Sequence, residues 1–177
     1  MNSYAVVAYI PDPLGKFLDD LRKELVPNCL PHAHVTLLPP RPISGEVAAA
    51  AEIAAPVFSS LSPFIVELSQ VEIFAVTEVI YLAVDAGREE LRRVHEILNV
   101  GPFAYRETFP YHPHVTLAQD LAPGQVEDLA RTTRKRWAEC PYPRHFLVET
   151  VYLVQNTVHN RWVDLETFSL GGIPVRS

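Results

Sequence analysis

The sequence predicts an α+β protein built as a bilobal pseudo-twofold duplication, with two largely antiparallel sheets flanked by helices around a central cleft. Three observations carry this expectation. One phrase occurs twice: residues 32–38 read His-Ala-His-Val-Thr-Leu-Leu and residues 112–118 read His-Pro-His-Val-Thr-Leu-Ala, an offset of 80 positions. The elements around each copy follow one order, strand, helix, His strand, helix, strand. Strands and helices are mixed within each half, which is the α+β pattern. A period this long, seen twice, is a duplicated lobe, since a solenoid needs at least three units. The chain 1–177 reads as a single domain whose repeat halves run about 1–85 and 79–177, with the strand between them counted in both.

Residues 3–10 are apolar and β-rich, a mostly buried strand ended by Pro11-Asp12-Pro13. Over 14–25, Leu14, Phe17, Leu18, Leu21 and Leu25 fall at helical spacing. The first His strand is expected over about 33–38, and Pro39-Pro40-Arg41-Pro42 forces an extended exit. An alanine-rich helix is expected over 45–59, capped by Ser44 and weakest at Pro56. Residues 64–74 and 79–85 give two more strands. Gly87 opens a helix over 88–99 with Leu91, Val94, Ile97 and Leu98 on its apolar face, and the second His strand follows at 113–118. A helix over 125–138 carries a basic stretch from Arg131 to Arg136, read as a solvated face. Strands over 145–154 and 161–170 close the chain.

Length and composition bound the function. A chain of 177 residues can bury one large core or two small lobes sharing an interface. The net charge of −6 argues against coating long nucleic acid through its phosphates, but a cleft taking one nucleotide or one RNA end needs only local positive charge. No apolar run approaches the ~20 residues of a membrane span. The N-terminal residues lack the basic region and cleavage pattern of a signal peptide, so the expectation is a cytoplasmic protein without membrane attachment. Cys29 and Cys140, with no CxxC spacing, read as reduced thiols, although the sequence leaves a disulfide open.

The doubled phrase points to chemistry. Side chains alternate along a strand, so His34 and Thr36 share one face and Val35 and Leu37 the other, and His114 and Thr116 stand likewise against Val115 and Leu117. Packing alone gives no reason to keep a polar face twice. Two imidazoles facing one phosphate suit acid–base catalysis, because a His pKa near 6.5 makes both protonation states available at neutrality. Threonine hydroxyls can donate to non-bridging oxygens as charge builds. This chemistry needs no metal and no other cofactor.

The two phrases, with Pro-His-Ala-His-Val-Thr-Leu-Leu-Pro-Pro-Arg-Pro and Tyr-His-Pro-His-Val-Thr-Leu-Ala around them, resemble the 2H phosphoesterase superfamily, in its 2′-5′ RNA ligase-like branch of RNA 2′,3′-cyclic phosphodiesterases. The resemblance covers nearly the whole chain in element order. It implies a bilobal pseudo-dimer with both motifs in a central cleft, opening of a 2′,3′-cyclic phosphate at an RNA end or on a nucleotide to leave a 2′-phosphate, and weak reverse 2′-5′ ligation. It assigns His34 and Thr36 to the first motif and His114 and Thr116 to the second, with the first His as acid and the second as base. Relatives often carry Arg just after the second motif's strand; here that position is Gln119, which weakens the case for RNA binding and for ligation. Arg41, just beyond the first motif, is a candidate compensating cation in substrate binding, with Arg106 and Arg161 as others, although a solvated surface position is the commoner role for each. Tyr111, Phe109 and Phe103 could stack a base.

Two rivals stand beside this reading. Each motif is His-x-His, so His32, His34, His112 and His114 could ligate a metal, but that leaves both threonines unexplained. A non-catalytic nucleotide or RNA-end binder of the same fold is the third reading. His95, His145 and His159 read as surface or strand-edge residues. The pseudo-twofold supplies the paired site within one chain, so a monomer is expected.

Overall fold

The computed structural model describes residues 2–29, 32–158 and 161–172. Its strands are β1 (Ser3–Tyr9), β2 (His34–Arg41), β3 (Phe64–Ile73), β4 (Ile80–Val84), β5 (His114–Ala118), β6 (His145–Val148), β7 (Thr150–Asn156) and β8 (Trp162–Ser169). Its α-helices are α1 (Leu14–Leu25), α2 (Val47–Ser60), α3 (Arg88–Leu98) and α4 (Val126–Ala138). They form two four-stranded sheets, ordered β2-β1-β7-β8 and β5-β4-β3-β6, with every pairing antiparallel. The expected α+β class with two antiparallel sheets is what the chain adopts.

The pseudo-twofold maps one sheet order onto the other, His strand onto His strand at the edge. The lobes, however, are not the two halves of the sequence. β3 belongs to the first half but pairs with β4 and β6, because the Phe74–Val79 turn makes β3 and β4 a hairpin, closed by Phe74 N–H to Val79 O (3.0 Å). A short turn can join only antiparallel neighbours. The span 145–154, expected as one strand, is two: β6 completes the second sheet, and after Glu149 the chain enters the first sheet as β7 between β1 and β8. Buried positions change parity there, from Phe146 and Val148 to Val151 and Leu153.

Most buried apolar side chains join one core between the sheets and helices, including Val35, Leu37, Val115 and Leu117 at 0–1% exposure. Full burial of such a side chain is worth about 1.5–3 kcal/mol. A one-residue slip of either His strand would drive His and Thr into that core, so burial fixes the register. Gly87 takes φ 89°, and a Cβ there would lie 2.4 Å from the Ile65 carbonyl oxygen, so the turn into α3 requires glycine. Ser44 does not cap α2; Glu46 is the N-cap residue, and the Ser44 N–H bonds the Pro102 carbonyl (3.0 Å). Both cysteines are free. No helix of the described residues is long and apolar enough to cross a membrane.

Candidate active site

β2 and β5 are the edge strands of their sheets and lie against each other, so the two motifs meet at the seam between lobes. In both strands the pattern is half-buried His, buried Val, half-buried Thr, buried Leu. Tyr111, on the approach to β5, donates its hydroxyl to the Thr36 carbonyl (2.7 Å) and so ties one motif to the other.

The histidines are held alike. His34 Nδ1 lies 2.7 Å from the His32 carbonyl oxygen, and His114 Nδ1 lies 2.6 Å from that of His112. A carbonyl only accepts, so each Nδ1 carries hydrogen and each Nε2 is the atom left for proton transfer. The outer histidines therefore serve through their backbone. His32 turns its own ring to Asp19 (3.1 Å), and Asp19 also accepts from the Ala33 N–H (2.6 Å). No group of three or more His, Cys, Asp or Glu placed to hold a metal occurs among the described residues.

Burial first, and then the charges of Arg22 and His114, push the His34 pKa down to about 4. Burial also lowers His114, against the pull of its bond to the His112 carbonyl. In the free cleft at neutral pH, His34 is an uncharged imidazole. Its neighbours Thr36 and Thr116 have no hydroxyl partner among the described residues, so both hydroxyls are available to a ligand.

His114 is further held by rings the sequence reading missed. Phe74 stacks on Tyr81 (centroids 3.9 Å, 20°) and meets His112 and His114 edge to face at 5.3 and 5.0 Å. Tyr81 is fixed by its hydroxyl bond to Glu72 (2.8 Å), with burial and that bond raising its pKa to about 12. The register signal was in the sequence for Tyr81, which lies two strand positions from Ala83 and pairs with Thr116; Phe74, in a turn, carried none.

Several expected substrate contacts are elsewhere. Arg41 is 1% exposed and does not face the cleft. Its guanidinium ion-pairs with Glu107 and bonds Asn99 Oδ1 (2.6 Å) and the carbonyls of Phe103 (3.0 Å) and Pro39 (2.9 Å). The reason is register: the β1–β2 pairing shifts twice past Thr36, putting Leu37 and Leu38 both in the core, and Arg41 then pairs with Tyr4 on the core-facing side of β1. Glu107 also meets His95 Nε2 (2.7 Å), so His95 is a half-buried partner and not a free surface residue. The His95 ring lies flat on Tyr111 (centroids 4.2 Å, 3°). Tyr111 thus spends one face and its hydroxyl on the protein, with burial raising its pKa, and it acts as a strut in place of the expected base contact. Phe103 is buried, whereas Phe109 is exposed. Gln119 is exposed just past β5, and Arg106 and Arg161 are exposed in loops. Arg131 and Arg136 pair with Asp128 and Glu24 on the surface, as a solvated helix face does. His145 is exposed on β6, and His159 lies outside the described residues.

Comparison with known proteins agrees with this architecture. Residues 10–160 match the model of the 2′-5′ RNA ligase superfamily. A Bacillus licheniformis protein assigned as a phosphoesterase is 27% identical over 171 residues, covering 95% of this chain and 98% of its own. A Geobacillus kaustophilus protein with the same assignment is 26% identical over 174 residues, covering 96% of each. Among solved structures, E. coli LigT complexed with NADP+ superposes with a TM-score of 0.65 at 17% identity, over 96% of this chain and 98% of that one. E. coli LigT complexed with 3′-AMP gives 0.62 at 18% identity, with the same coverage. At these identities the structural likeness is one of fold.

Proposed function

This chain belongs to the 2′-5′ RNA ligase superfamily of 2H phosphoesterases, and on that premise we propose that it is a metal-independent phosphodiesterase opening a 2′,3′-cyclic phosphate on a nucleotide or RNA end. One observation carries the reading: two imidazoles with identical Nδ1–H to carbonyl bonds, each beside an unengaged threonine hydroxyl, on strands that touch. Nucleotide binding by LigT, with 3′-AMP and NADP+, supports a nucleotide ligand for the same fold.

His114 Nε2 takes a proton from water as the water oxygen bonds phosphorus. The bond from phosphorus to one ribose oxygen breaks, and His34 Nε2 delivers a proton to that oxygen, leaving a 2′-phosphate. Thr36 and Thr116 donate to the non-bridging oxygens as their charge grows. His34 is neutral in the free cleft, so it acquires its proton with the phosphate anion, whose charge favours the imidazolium. With a 5′-hydroxyl in place of water as the nucleophile, the same opening of the cyclic phosphate forms a 2′-5′ linkage. With Gln119 at the position where relatives carry Arg, a second nucleic-acid strand gains no cation, and hydrolysis dominates. The site is complete in one chain, which acts as a monomer.

The test is hydrolysis of a short RNA ending in a 2′,3′-cyclic phosphate, in EDTA, by wild type, His34→Ala and His114→Ala. Turnover should survive EDTA and collapse in both variants. Activity lost to EDTA and restored by a divalent ion would sink the metal-free mechanism.

A further inference from the structure

The strand register extends the site well beyond its two motifs. Tyr9 pairs with His34, Val7 with both Thr36 and Tyr152, Ala5 with Val154, and Val154 with Asp164. Directly paired residues share a face, so Tyr9, Tyr152 and Asp164 lie on the surface that carries His34 and Thr36. On this surface Ala5, Val7 and Val154 form an apolar floor separate from the main core, with Tyr9, Tyr152 and Trp162 packed over it and partly exposed.

The surface is bridged across its strands. In a flat sheet, the backbones at Tyr9 of β1 and Asp164 of β8 would be separated by two strand spacings and four residues, roughly 16 Å. The Tyr9 hydroxyl donates to Asp164 Oδ1 at 2.5 Å, so the two side chains lean toward each other across β7 and the twist and curl of the sheet close the remaining gap. The same bond anchors the Tyr9 ring, 4.8 Å from that of Tyr152.

The two lobes use their aromatics differently. In the second, Phe74 and Tyr81 are stacked on each other and enclose His112 and His114. In the first, Tyr9, paired with His34, meets the His32 ring edge to face at 6.2 Å and is tilted 50° to Tyr152, and both tyrosine rings stay partly exposed. A planar ligand therefore has a platform on one side of the phosphate position only.

Charge narrows the ligand further. Among the described residues, the paired positions on the two catalytic faces include no Lys or Arg: His34, Thr36, Ala5, Val7, Tyr9, Tyr152, Val154 and Asp164 on one sheet, Glu72, Tyr81, Ala83, His114 and Thr116 on the other. Among the described residues, positive charge near the motifs comes from flanking helices: Arg22 acts on His34, Arg88 and Arg92 act on His112, and Lys16 and Lys23 line a pocket beside Tyr9 and His32 in which Asp12, Asp19 and Asp20 outnumber them. A nucleic-acid track needs a cation for each phosphate it neutralises. This cleft is furnished for one phosphate.

Resting on the cyclic phosphodiesterase reading, we propose that Tyr9 and Tyr152 form a base-stacking platform and that the substrate is a single nucleoside cyclic phosphate, not the end of an RNA chain. The experiment compares kcat/KM for adenosine 2′,3′-cyclic phosphate, glycerol 1,2-cyclic phosphate and a ten-nucleotide RNA ending in the same cyclic phosphate, at low and high salt. The adenosine ester should exceed the glycerol ester at least tenfold. In Tyr152→Ala that ratio should fall close to one, chiefly through KM, and Tyr152→Phe should restore it. The RNA should gain nothing over the mononucleotide.

Equal loss for both small esters in Tyr152→Ala would show a merely structural ring, and a tenfold preference for RNA with a steep salt dependence would show a strand-binding site; either overturns the proposal. Calorimetric binding of adenosine 2′-monophosphate against glycerol 2-phosphate separates the platform from the reaction. A tenfold preference lost in Tyr152→Ala keeps the platform even if no ester is turned over, and no preference removes it.

Discussion

A phosphate anion in the cleft should move a proton onto His34. In the free protein burial holds this imidazole at about 4, well below the ordinary value of about 6.5. A phosphodiester placed for proton transfer brings one negative charge to about 4 Å from Nε2. At an effective dielectric of ~20 that interaction is worth about 4 kcal/mol, and at about 1.4 kcal/mol per pKa unit it raises the pKa by about three units. The bound value is then about 7, which makes His34 a competent acid at neutral pH. The assay is a two-dimensional NMR titration of the histidine ring nitrogens, free and saturated with inorganic phosphate. Because His34 and His114 sense each other's charge, the titration is repeated in His114→Gln to separate a coupled pair from a single site. A His34 that titrates near 6.5 without ligand, or whose midpoint does not move on saturation, would refute this account of how the acid is charged.

Other outcomes follow from the same geometry. His34 is depressed in the folded state, so the unfolded chain binds its proton first; stability should fall as pH drops from about 6.5 to about 4, and His34→Gln should flatten that slope in urea unfolding followed by circular dichroism. Glu107→Ala strands the buried Arg41 charge and should cost about 3–5 kcal/mol in the same assay, whereas the double variant Arg41→Met/Glu107→Leu should recover most of it. Thr36→Val and Thr116→Val keep the strand shape but remove a donor to the phosphate, and each should lower kcat by about 10- to 100-fold at little cost in melting temperature. Phe74→Ala removes the ring against His114 and should lower kcat more than it raises KM; an unchanged kcat would mean that the ring does not orient the imidazole.

Much of this was legible because period-two alternation is unforgiving. His-Val-Thr-Leu has one reading as a half-buried strand, and both copies keep Val and Leu in the core and His and Thr out of it. Past Thr36 the alternation breaks, with Leu37 and Leu38 both buried and the pairing to β1 shifting twice, so strand parity did not reveal the burial of Arg41. The break at Glu149 had no such mark, because residues 146–148 and 150–154 are apolar on both parities and read as one continuous strand. The contact of Tyr9 with Asp164 spans 155 positions and depends on sheet curl, a property of the assembled sheet that no local pattern encodes. His95 looked like a surface residue on an amphipathic helix because its partner, Glu107, lies in an irregular loop where spacing carries no information.

The single-residue passage from β6 to β7 has a mechanical consequence. Many two-lobed proteins join their lobes by a supple connector and close like a jaw on what they bind. Here the lobes are clipped at one side by Glu149, whose carbonyl also takes the Leu170 N–H (2.9 Å), and at the other by the bond from Tyr111 to Thr36. With one margin joined by a single residue of backbone and the other by a hydrogen bond, the two motif strands have little slack to part, and a wide opening of the seam would have to break the bond from Tyr111 to Thr36.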